Sequence, residues 1–167
     1  VKAIIGLDPA IPEIYLKNSD IIPQKNQLYA TYFISRIGLT RFMGKSDLEK
    51  NIPLLKSNES SEEDKKKLIA IFYRSAVTKN MLNEVGYIES NAEKVKDKGI
   101  PINTPMYFFI SDGSEIVFPN WGEELSNYIS KVNIGEYMYL GSEHYVHYSN
   151  SNIIANETKK FLEEISK

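Results

Sequence analysis

Only two histidines occur in this chain, and both fall within the seven residues "GSEHYVH", as His144 and His147. A second stretch, "SDGSE", supplies Asp112 and Glu115. A carboxylate bonded to one imidazole nitrogen fixes the tautomer and stabilises the imidazolium formed when the other nitrogen takes a proton. An acid beside a histidine is therefore a general base with its orienter. The plainer readings stand next to it. Asp-Gly is a turn former in its own right, and exposed loop histidines commonly carry no chemistry. Two histidines three residues apart would begin a metal site, but no third ligand converges on them in sequence. The chain has no cysteine, which excludes disulfides, thiolate nucleophiles and cysteine-based zinc sites.

These loops need elements to hold them together. "SDGSE" follows the apolar run "PMYFFIS", and "GSEHYVH" follows "EYMYL". A third run, Lys2 to Leu7, opens the chain and ends at Asp8-Pro9. The first strand is unbroken and apolar after its lysine, which suits a strand covered on both faces of a parallel sheet. The final elements alternate strand, helix, strand, helix, which implies parallel pairing with right-handed crossovers. The carboxyl ends of such strands share one edge, where open α/β sheets place their ligands.

Between the first strand and the rest lies a helical stretch. Leu28, Tyr29, Tyr32, Phe33 and Ile37 recur at helical spacing over Asn26 to Met43, with Gly38 as a stop or kink. Residues 44–60 read as a connector. Ser60 or Ser61, with an acid three residues on, predicts a helix running to Val85, its apolar face Leu68, Phe72, Ala76 and Leu82. Ser90 opens a shorter helix closed by Gly99. Asn120 with Glu123 caps one that faces inward through Trp121, Leu125, Tyr128 and Ile129. A Ser/Asn cluster at 149–152 caps the last, with Ile154, Phe161, Leu162 and Ile165 inward.

Bulk properties set outer limits. At 167 residues the chain is about one domain, and its mixed charge, net -2, gives no electrostatic footprint for nucleic acid. No apolar run approaches the ~20 residues of a membrane-crossing helix. Seventeen lysines against three arginines, with abundant Asn and Ile, read as coding bias. The Lys65 to Lys67 run reads as a solvated helix face. Asn58-Glu59-Ser60 and Asn156-Glu157-Thr158 match glycosylation sequons, a short pattern that also arises by chance.

Taken in order, "VKAIIGLDPAIP", "PMYFFISDGSEIVFPNW" and "YLGSEHYVHYSNSNIIANETKKFLEEI" resemble the C-terminal portion of the α/β-hydrolase superfamily: the sixth strand, the seventh strand with its acid loop, and the eighth strand with its histidine loop and last helix. The resemblance implies an α/β fold with three parallel strands and flanking helices. It divides the chain into a core strand (1–11), a helical cap insertion (12–88) and the C-terminal part of the core (89–167). It makes His144 the catalytic histidine and His147 a non-catalytic companion. Glu115 is preferred as the acid, in register before "IVFP", with Asp112 as its competitor. Asp8 ranks third: some relatives place the acid there, but Leu-Asp-Pro is also a common strand-ending turn.

The family's nucleophile sits in a Gly-x-Ser-x-Gly elbow after the fifth strand. This chain contains no such elbow; "GKSDL" at Gly44 lacks the second glycine. The opening strand is thus expected to be a cut edge, with the elbow and the oxyanion donors on a missing N-terminal half. The expected activity of the intact protein is serine hydrolysis of a small ester or amide, without metal or organic cofactor. Dehalogenase or epoxide chemistry would follow if the nucleophile were aspartate. The chain alone is expected to be inactive, and to be a proteolytic fragment, bound to its missing half, or self-associated through its exposed strand. The rival expectation is a non-catalytic α/β-hydrolase-like binding protein, distinguished by Gly or Ala at the elbow.

Overall fold

Strands β1 (Ile4–Leu7), β2 (Met106–Ile110) and β3 (Gly135–Tyr139) form a parallel sheet in the order β1-β2-β3. Ile4 lies opposite Met106, and Met106 opposite Gly135. This computed structural model describes residues 1–23, 25–56 and 60–167. The chain is α/β, and it divides into two compact units: residues 1–22 with 88–167, and residues 23–87.

In the sheet unit the central strand explains the rest. All five residues of β2 are buried, so both faces need cover. Met106, Phe108 and Ile110 face one side, packed with Ile11, Ile14, Trp121, Leu125 and Ile129. Those partners come from helices α1 (Pro12–Lys17) and α7 (Trp121–Ile129) and the turn before α1. Tyr107 and Phe109 face the other side, against Leu140, Val146 and Phe161, the last from helix α8 (His147–Glu164). Phe109, Phe161, Leu125 and Ile14 are nearly or fully sealed from solvent, each contributing roughly 1.5–3 kcal/mol of burial. Helix α6 (Ile88–Asp97) packs on α1. Gly6 lets β1 approach: a Cβ there would stand 2.7 Å from both the Phe108 ring and the Pro9 ring.

Edge strand β1 departs from the fully covered strand expected. On β1 only Gly6 is buried, and Ile4 and Leu7 are partly open to solvent. β3 keeps Tyr137 and Tyr139 half exposed. A strand paired on one side only has one covered flank, so an apolar run does not by itself make it central. The segment after β1 also differs. Pro12 does not merely stop the strand but starts α1, because its fixed φ suits the first helical position. Residues 12–22 consequently belong to the sheet unit, and the helical insertion begins at 23 rather than 12.

The helical unit contains α2 (Lys25–Arg36), α3 (Lys45–Asn51), α4 (Glu62–Ser75) and α5 (Lys79–Val85), with 3-10 turns at Leu39–Phe42 and Pro53–Lys56. Gly38, at φ +80°, ends α2, and a separate 3-10 turn covers 39–42. The connector at 44–60 holds α3, whose start the sequence pattern did not reveal. Ser61 caps α4 through the Asp64 amide. The single helix expected to reach Val85 is two, because Thr78 turns extended and its hydroxyl caps α5 at the Met81 amide, 3.2 Å away. The Asn58 of the first sequon lies outside the described residues.

Two helix starts also shift. Helix α6 begins at Ile88, ahead of Ser90. Helix α8 begins at His147, ahead of the Ser/Asn cluster, and Asn150 sits in it as a non-helical kink. Leu162, expected inward, is 40% exposed.

Candidate acid–histidine site

At the carboxyl end of β1 the chain turns at Asp8, a non-glycine residue at φ +49°. Aspartate tolerates this left-handed conformation better than most residues, at a cost that surrounding contacts must offset. Here the contacts are three donors. Asp8 Oδ1 accepts the Ser111 amide at 2.9 Å and the Trp121 indole N–H at 2.8 Å. Oδ2 meets His144 Nδ1 at 2.6 Å. The Asp8 backbone amide donates to the Phe109 carbonyl at 2.7 Å, continuing the β1–β2 ladder by one residue. The carboxylate is sealed from solvent, while the His144 ring keeps 36% of its surface exposed.

Each partner is placed by a different segment. Ser111 is the residue after β2. Trp121 is the first residue of α7, and a buried indole N–H needs an acceptor. His144 lies in the loop after β3, and that loop is tied at several points. The Leu140 amide bonds the Ile110 carbonyl, and the Asp112 amide bonds the Ser142 carbonyl, so the loops after β2 and β3 are neighbours. The Val146 amide returns to the His144 carbonyl, and the fully buried Val146 side chain anchors the stretch. Asn150, at the kink of α8, donates to Ser142 Oγ at 2.9 Å and to the Val146 carbonyl at 3.1 Å. That kink is therefore tied to the histidine loop. The Trp121 ring also stands edge-on to the imidazole, with centroids 6.0 Å apart.

The expected acids lie elsewhere. Asp112 is exposed, and its Oδ1 accepts the Ser114 amide at 2.8 Å inside its own turn. The Ser114 hydroxyl and amide hold its carboxyl below the usual aspartate value. Glu115 is exposed two residues before Val117, itself 71% exposed. The preference for Glu115 or Asp112 beside His144 is corrected: the carboxylate that meets the imidazole is Asp8, the one ranked third. Gly113, at φ +74°, lies within the Asp112 turn. His147 is exposed at the start of α8, its ring against Tyr148. Among the described residues no group of three or more His, Asp or Glu side chains could hold a metal ion.

Trp121, Ser111 and Asn150 were not legible as site residues. Trp121 lies on the buried helix face that its spacing predicts, and the signal for its role is the indole donor that such burial obliges to find a partner.

A carboxylate can only accept hydrogen bonds, so the proton between Asp8 and His144 sits on Nδ1. Nε2 then carries the lone pair. With two N–H groups fixing Oδ1 and the imidazole taking Oδ2, the ring is held in one tautomer and one orientation, ready to take a proton at Nε2. No protein-family model matches the chain, and neither a curated protein nor a solved structure is significantly similar to it.

Proposed function

We propose that this chain carries the acid and base of a hydrolytic triad, with His144 as general base and acid and Asp8 as its orienter. The observation that carries the reading is the 2.6 Å bond between a sealed carboxylate and a part-exposed imidazole at the carboxyl ends of parallel strands. The sheet order β1-β2-β3 and the helical insertion after β1 agree with the α/β-hydrolase resemblance.

On this reading a serine hydroxyl from a segment outside these 167 residues approaches Nε2. As its oxygen attacks an ester or amide carbonyl, the hydroxyl proton passes to Nε2, and Asp8 stabilises the imidazolium. His144 returns the proton to the leaving alcohol or amine, which departs and leaves an acyl-serine. Water then loses a proton to Nε2 as it attacks the acyl carbon. The same proton goes back to the serine oxygen on release of the acid.

Labelling with a fluorophosphonate probe tests the assignment. The full-length gene product is expected to label at a serine, with the rate falling by about three orders of magnitude or more in His144→Ala. Labelling that is indifferent to His144→Ala would overturn the role of the histidine. Labelling of the 167-residue chain alone at one of its own serines would overturn the external nucleophile.

A further inference from the structure

The chain has three arginines, and all three line one cavity. Arg36 lies in the last turn of α2, Arg41 in the 3-10 turn that follows, and Arg74 in the last turn of α4. Together with Ser35, Gly38, Ala70 and Tyr73 they line a half-open cavity of about 520 Å³ within the helical unit. That volume falls in the ~300–1,000 Å³ range of small-molecule sites. Among the described residues no acidic side chain lines it. Every ion pair found among the described residues involves lysine or histidine as the cation, never arginine. Arg36 rests over the Tyr32 ring at 5.8 Å.

Cations at helix C-termini offset the macrodipole, which accounts for Arg36 and Arg74 one at a time. It does not account for Arg41, whose 3-10 turn is four residues long. Nor does it account for Ser35. That residue is 4% exposed, and its hydroxyl is buried with no hydrogen-bond partner among the described residues, where such groups normally have one. A cavity wall with three guanidinium groups and a spare hydroxyl is short of acceptors.

We infer that this cavity binds a small dianion, a phosphate monoester in chemical class. Guanidinium forks match phosphate oxygens two at a time, and a dianion answers three positive charges around one cavity better than a monocarboxylate does. The volume leaves room for an organic group beside the phosphate, against Tyr73 and Ala70.

Calorimetric titration of the intact chain at low ionic strength tests this, with inorganic phosphate, phenyl phosphate and benzoate as probes. Phenyl phosphate and phosphate are expected to bind saturably, one per chain. Arg41→Gln and Arg74→Gln should each weaken binding at least about tenfold, the loss expected for a charge-assisted hydrogen-bonded pair. Ser35→Ala should weaken it by a smaller factor. Lys66→Gln, an equal charge change on the exposed face of α4, should leave it unchanged. All four substitutions are expected to melt as the parent does. Absence of saturable binding below about 10 mM would overturn the site. Equal weakening by Lys66→Gln would reduce it to a net-charge effect and overturn it as well. Benzoate binding as tightly as phenyl phosphate would overturn the assignment to a dianion.

Discussion

Two turns of this molecule look alike in sequence and differ in every physical respect. Both follow a parallel strand at the same sheet edge, and both offer acids: Asp8 after β1, Asp112 and Glu115 after β2. The first turn is short and enclosed, and its carboxylate faces three donors from three other segments. The second bonds within itself, Asp112 to Ser114 and Ser111 Oγ to the Gly113 amide, and stays in water. The Asp112 carboxylate takes its donors from its own turn rather than from a distant imidazole. An acid whose turn offers it nothing must find its donors elsewhere, and here those donors orient it. What separates orienter from turn former is where the donors come from.

The largest test of that contrast is catalytic. In the full-length gene product, Asp8→Asn should lower ester hydrolysis by about 10³–10⁴-fold, because an amide favours the wrong imidazole tautomer. Glu115→Gln should change it by less than about twofold, as exposed substitutions do. Steady-state rates on a chromogenic ester would read both, and a reversal of the two would return the acid to the β2 turn.

The second test is structural and needs only this chain. Asp8→Ala leaves the Ser111 amide and the Trp121 indole N–H buried without an acceptor, at a cost of about 2–4 kcal/mol. Trp121→Phe removes one donor, keeps most of the packing, and should lose about 1–2 kcal/mol. Glu115→Ala should stay within about 0.5 kcal/mol of the parent. Urea unfolding followed by tryptophan fluorescence, or by circular dichroism for the Trp121 variant, measures all three.

The smallest effect lies in the exposed turn. The Ser114 hydroxyl and amide lower the Asp112 pKa from its ordinary 3.8. A depressed carboxyl contributes stability above its unfolded value and loses it as pH falls through the folded one, so the window lies at and below that ordinary value. Carbon-detected titration of Asp112 should show a midpoint below 3.8 that rises in Ser114→Ala. Its full exposure makes the effect on unfolding slight.

The same contrast explains what could be read from sequence. Strands β2 and β3, their parallel order and the neighbouring loops follow from local runs and their alternation with helices. His144 was legible because the chain has only two histidines and both stand just past a strand. Asp8 ranks only third from sequence, because nothing near it in the chain distinguishes a residue that holds an imidazole from a strand-ending turn. Its partners stand 103, 113 and 136 residues away. Thr78 escaped notice for the opposite reason: a single hydroxyl broke a helix that the apolar spacing carried straight through. The three arginines read as a compositional accident until the helices brought them to one cavity wall.

The separation of Asp8 from His144 has a kinetic consequence. Contacts this remote in sequence require closing a long loop, whose entropy must be met before the bond returns any stability. The β2–β3 loops can assemble from the last third of the chain, but the imidazole gains its partner only when residue 8 docks. Refolding should therefore restore helical signal first and the downfield Nδ1 proton resonance of His144 last, so that this one proton reports the arrival of the first strand.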